Sequence, residues 1–196
     1  MRKEAEPVVG WRLWRVRHDR LMSWAVDRAW DMGENRATCL APAGRRCLNS
    51  PGHGCLCGLW AVWNPLRALK RARDDRYERL TVLGLVVGWG EVAVHGEEGF
   101  RAEKARVLCL FEDWVWRQRE DEVVPAGLLK RFVSLIRGDI EPPEPDPDRA
   151  LQLAQAADRY MVPLLPLREA VRVGLLAELG VSQPVIDEVK EWADRA

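Results

Sequence analysis

The chain has 196 residues, of which 47% are hydrophobic and 31% charged, with 30 basic side chains matched by 30 acidic ones. This is enough chain to bury a substantial core in one domain, or in one domain with an appendage, and the composition excludes a disordered, collagenous or disulfide-dense protein. No stretch reaches the roughly 18 apolar residues of a membrane span, and Met1-Arg2-Lys3-Glu4 opens without the apolar segment of a secretory signal, so a cytoplasmic protein with no membrane role is expected.

The zero net charge hides a gradient. Residues 1–80 carry 16 basic against 9 acidic side chains, residues 81–140 carry 8 against 10, and residues 141–196 carry 6 against 11. A basic front and an acidic tail can attract each other and pack, or the front can meet an anionic partner.

In chain order, Trp11 to Arg17 and Arg20 to Ala25 are short runs rich in Trp, Leu and Val, joined at His18-Asp19, which predicts a hairpin. Residues 27–37 are polar and contain Gly33 and Asn35, so a loop is expected there. The next segment, residues 39–58, holds Cys39, Cys47, His53, Cys55 and Cys57 among Pro, Gly and Asn. Soft donors gathered in a stretch with little core of its own point to a structural zinc or to a redox pair. Cytosolic thiols stay reduced, which favours the metal.

Zinc takes four ligands in a tetrahedron. Cys55 and Cys57 form a Cys-x-Cys pair rather than the common Cys-x2-Cys, and Cys39 is the natural third ligand. The fourth is left open between Cys47, His53 and His95. His95 belongs to this choice only if its strand face looks toward the loop; otherwise it is an ordinary strand-end histidine.

Leu59 to Trp63 reads as a strand leaving the loop, and Asn64-Pro65 as the cap and first turn of a basic helix running to about Asp75. Residues 80–95 form the longest apolar run, a buried strand whose Gly84, Gly88 and Gly90 suggest bulges or a sharp bend. A four-residue turn at Gly96–Gly99 would return the chain as a partner strand from Phe100 to Phe111, with Glu91 facing Lys104 and Val92 facing Glu103. Cys109 reads as a buried core thiol.

The second half turns helical. Leu128, Leu129, Phe132, Val133 and Ile136 recur at helical spacing, and residues 139–148 are a stiff proline-rich acidic linker. Leu151, Ala154, Ala157 and Met161 mark a helix begun near Asp146-Pro147, Val171, Leu175 and Leu179 mark another, and Val185, Val189 and Trp192 a third. The expected fold class is α+β: a small, antiparallel, barrel-like core over residues 8–138 carrying the metal-clipped loop, followed by a small acidic helical tail over residues 149–196.

Ten tryptophans are present, several interleaved with arginine. They can fill a core, or they can stack bases while arginines grip phosphates. On the second reading Arg12, Trp14, Arg15, Arg17, Arg67 and Arg71 would contact nucleic acid. No phosphate loop, dinucleotide fingerprint, serine-nucleophile elbow or zinc-deaminase signature is present. The leading expectation is therefore a non-enzymatic, zinc-stabilised binding module for nucleic acid or another anion. The alternatives are a protein-interaction or regulatory module acting through the acidic tail, and a hydrolase using His95 and Glu103.

Overall fold

The computed structural model describes residues 5–65, 68, 81–116, 147–184 and 186–187. It is mostly antiparallel β-sheet with a few short helices. The strands are β1 (Ala5–Arg17), β2 (Arg20–Ser23), β3 (Asn35–Arg36), β4 (Leu59–Val62), β5 (Thr81–His95), β6 (Gly99–Trp116) and β7 (Leu164–Leu165), and the helices are α1 (Pro147–Tyr160), α2 (Leu167–Arg172) and α3 (Leu175–Glu178). Pro65 and Ala68 are helical. The rest of the expected basic helix, including Arg67 and Arg71, lies outside the described residues. So do the expected helix at 128–136, the linker up to residue 146, and Val185, Val189 and Trp192.

The expected first hairpin is present: β1 and β2 pair with Arg17 opposite Arg20. On its other edge β1 pairs with β5 from Ala5↔Gly90 to Arg15↔Thr81. β5 and β6 form the long central hairpin, and β4 lies against the start of β6 from Leu59↔Ala102 to Val62↔Gly99. A single pair, Trp11↔Val62, joins β4 to β1. β7 runs parallel to β6 beside Leu110 and Phe111.

Alternation along these strands sends side chains to two cores. Trp11, Leu13, Leu83, Leu85, Cys109 and Phe111 pack with Leu167, Ala170, Leu176, Val181 and Ile186. Trp14, Val16, Val82, Val86, Phe100 and Leu110 pack instead with Leu21, Trp30, Leu153, Ala156, Ala157 and Tyr160. Helices thus cover both faces of the sheet, which explains why β5 reads as a continuous apolar run. The tail is joined to the sheet by polar contacts as well. The Tyr160 hydroxyl donates to the Trp30 carbonyl at 2.6 Å and accepts the Leu21 amide at 3.1 Å, and Arg159 pairs with Asp19 at 2.8 Å.

Two expectations need correction. The β5–β6 connection is three residues long rather than four, because Gly99 is already in the ladder opposite His95. Gly99 has φ +150, and a Cβ there would come within 2.1 Å of the Ala61 carbonyl oxygen, so glycine is what lets β4 cross at that point. Val92 therefore faces Ala102, not Glu103, and a shift between Trp89 and Val92 then sets Lys104 opposite Trp89 rather than Glu91. The bulge is centred on Gly90, whose φ is +79, and the Glu103 side chain lies over it. The second correction concerns α1. Its buried stripe is Leu153, Ala156, Ala157 and Tyr160, whereas Leu151 and Met161 are exposed. The hydroxyl bonds of Tyr160 fix the rotation of the helix.

Candidate metal centre and the cavity beside it

The loop between β3 and β4 has no strand or helix of its own. Its leucines face solvent: Leu40, Leu48 and Leu56 are 61%, 103% and 79% exposed. Apolar burial therefore does little to hold it. Its four cysteines do converge. The sulfurs of Cys39, Cys47, Cys55 and Cys57 all lie within 4.8 Å of one another, a set that would hold a metal ion. Cys39 Sγ and Cys55 Sγ are 3.8 Å apart. A tetrahedron with metal–sulfur bonds of about 2.3 Å has edges of about 3.8 Å. All four thiols are free.

Local backbone chemistry supports the cluster. The Gly52 amide donates to Cys57 Sγ at 3.2 Å. A Cβ on Gly52 would come within 2.3 Å of Cys47 Sγ, so only glycine allows that sulfur to enter. The amides of Cys47 and Ala41 hold the Cys39 thiol down to about 7, while hydrogen bonding to Cys55 and desolvation push the Cys47 thiol up to about 12. Left to themselves, the sulfurs share protons unequally, and a cation among them favours deprotonation of all four.

Cys47 thus joins the set, and neither histidine does. His53 is exposed. His95 is not among the converging ligand atoms and meets the loop through Arg101. Its ring stacks on Trp60 at 4.8 Å, and its Nε2 accepts from Arg101 Nε at 2.6 Å. Arg101 is only 6% exposed, and its Nη1 donates to the Cys57 carbonyl at 2.9 Å and also to the Cys55 carbonyl. One guanidinium thus ties β6 to both members of the Cys-x-Cys pair. The residue pattern does not single out Arg101 as a brace for the loop. The available signal was an arginine set between Phe100 and Ala102 in a core strand.

Glu103 does not meet His95. Its carboxylate accepts the Glu91 amide at 3.2 Å, next to the Gly90 bulge. Cys109 is fully buried, and burial pushes its thiol up to about 12.

Of the residues expected to contact nucleic acid, Arg12, Trp14, Arg15 and Arg17 are described. Trp14 is fully buried, edge-on to Trp30 at 5.4 Å, so it cannot stack a base. Arg15 is directed to the Ser23 carbonyl at 3.0 Å and to Asp27 at 3.5 Å. Arg17 is exposed. Arg12 turns inward: its guanidinium lies 4.6 Å from the centre of the Trp30 ring, Nη1 donates to the Trp60 carbonyl, and Nη2 reaches Ser23 Oγ at 3.4 Å. Burial alone lowers its pKa to about 10, still well above neutrality.

Beside the cysteine loop is a cavity of about 590 Å³ between β1–β2 and the segments 37–41 and 55–62. Trp11, Arg12, Trp24, Leu40, Leu56 and Trp60 contribute to its walls. The lining is predominantly apolar, as in small-molecule sites generally.

No protein-family model, no curated protein and no solved structure matches this chain. Among the described residues, no helix is long and apolar enough to cross a membrane.

Proposed function

We propose that this protein is a non-enzymatic binding module whose 39–58 loop is closed by one structural zinc ion on Cys39, Cys47, Cys55 and Cys57. The observation that carries the reading is the convergence of four sulfurs, two of them at the 3.8 Å edge of a zinc–thiolate tetrahedron. An all-sulfur tetrahedral set selects zinc or iron among common metals. A closed four-ligand set leaves no position for a water nucleophile, which favours a structural role. The ion would link the ends of a loop that has little apolar core. Reduced thiols suit a cytoplasmic setting.

The scaffold reading is a small barrel-like sheet. Its support is the ring of pairings β1–β5–β6–β4, closed by Trp11↔Val62. What the scaffold presents is a ligand site for an anion rather than an extended nucleic-acid surface, because Arg12, Trp14 and Arg15 have partners inside the fold. The hydrolase alternative loses its pair, since His95 and Glu103 bond to different groups.

A protein-interaction role finds support in a feature other than the acidic tail. Leu40, Leu48 and Leu56 each follow a cysteine and stand exposed on the loop. Metal analysis of the purified protein tests the main reading. About one zinc per chain, lost on Cys47→Ser, is expected, and visible absorption from iron–thiolate bonds would replace zinc with iron.

A further inference from the structure

The arginine beside the metal loop is unusual in what surrounds it. Arg12 is half-buried, with its Nε fully enclosed, and none of its hydrogen bonds or ion pairs among the described residues involves a carboxylate. Its partners are a carbonyl, a hydroxyl at a long 3.4 Å and the face of an indole. Its Nε is enclosed without any acceptor, as is Nε1 of Trp11. Enclosing part of a guanidinium with no carboxylate beside it among the described residues is costly, and such a charge is suited to holding an anion. Arg12 and Trp11 both line the 590 Å³ cavity, whose remaining walls are largely apolar.

We propose that this cavity is a binding site for a small amphiphilic monoanion, a carboxylate or sulfonate carried on an apolar body, with the anionic group on Arg12 and the body against Trp11, Trp24, Leu40, Leu56 and Trp60. This rests on the binding-module reading above and names the class of ligand. Arg12 can offer further N–H groups in the plane of its guanidinium, the geometry that suits a planar or forked oxyanion. The volume matches a ligand of drug or medium-chain fatty-acid size. An extended polyanion fits poorly, because the walls of the site are largely apolar, with Arg12 and the exposed Arg28 its cations among the described residues. Leu40 and Leu56 belong at once to the metal loop and to the cavity wall, so the ion fixes one side of the site.

The test uses full-length protein whose metal content is first verified, so that loss of the clip and absence of the ligand site are separate results. Two fluorescent probes share an apolar body and differ in charge: 1-anilinonaphthalene-8-sulfonate and neutral N-phenyl-1-naphthylamine. The metal-loaded protein should bind the sulfonate at one site, release it to decanoate, and bind the neutral probe about tenfold or more weakly. Arg12→Gln should weaken the sulfonate by about tenfold or more and leave the neutral probe within about twofold. If Arg12→Gln does not fold, Leu56→Glu supplies the second arm. It sits at an exposed position, and its carboxylate should repel the sulfonate more than the neutral probe. Equal binding of the two probes, no binding to metal-loaded protein, or sulfonate binding unchanged in the variant that folds would overturn the proposal.

Discussion

The central hairpin and the cysteine loop show two ways of ordering a chain. β5 and β6 are ordered by burial: Val82, Leu83, Leu85, Phe100, Cys109, Leu110 and Phe111 are all fully enclosed, with helices over both faces. The loop of residues 39–58 turns three leucines to solvent and instead gathers four sulfurs, with Arg101 bracing it from the sheet. Hydrophobic order is distributed over many contacts, so losing one side chain weakens it by degrees. Ligand order is concentrated in a few bonds, so losing one ligand can release the whole segment.

The sharpest way to break this contrast is to remove the proposed metal. Chelation, or Cys55→Ser, should raise amide hydrogen exchange across residues 39–58 by orders of magnitude and leave the β5–β6 amides protected. Uniform loosening of both regions would erase the distinction. The reverse experiment cuts into the sheet. Phe111 is fully buried and packs against Trp11 at 5.5 Å. Phe111→Ala should cost about 3–5 kcal/mol of global stability in chemical denaturation, while metal content of the folded fraction stays unchanged.

A third substitution probes the junction between the regions. Arg101→Met removes the donors to the Cys55 and Cys57 carbonyls and to His95. Metal release to a chelator should become about 10–100-fold faster, the usual consequence of losing outer-shell support, with partial rescue by Arg101→Lys. Unchanged release would make Arg101 a core residue only.

Smaller still is Tyr160→Phe, which leaves the buried Trp30 carbonyl and Leu21 amide without their partner. A loss of about 1–3 kcal/mol is expected by thermal or denaturant unfolding, with no effect on the loop. At the lower end, Cys109 should stay silent to thiol reagents in native protein at neutral pH, because burial holds its thiol up to about 12 and it is fully enclosed.

The two regions also differ in how far residue order reveals them. Alternation in β1 and the apolar run of β5 are local signals, and both elements lie where those signals point. The cysteine cluster is visible because its donors lie close together in the chain. The fourth ligand was not, since choosing Cys47 over His53 or His95 depends on how the loop folds back, including the close approach of Gly52 to Cys47. The ladder slipped by one residue because Gly99 serves as a strand position under β4 rather than as a turn residue. Interleaved arginine and tryptophan in β1 fit a core or a nucleic-acid surface equally well by sequence; that Trp11 and Trp14 are core residues depends on packing partners more than a hundred positions away. The polar anchors of α1 are equally distant: Tyr160 reaches Trp30 and Leu21.

The claim that metal takes the place of a core in the loop is tested most directly by X-ray absorption at the zinc edge of the purified protein, with quantified metal content. The account predicts about one zinc per chain, coordinated by four sulfurs at about 2.3 Å. Metal-free protein with a rigid 39–58 loop, or a zinc shell containing nitrogen or oxygen, would contradict it.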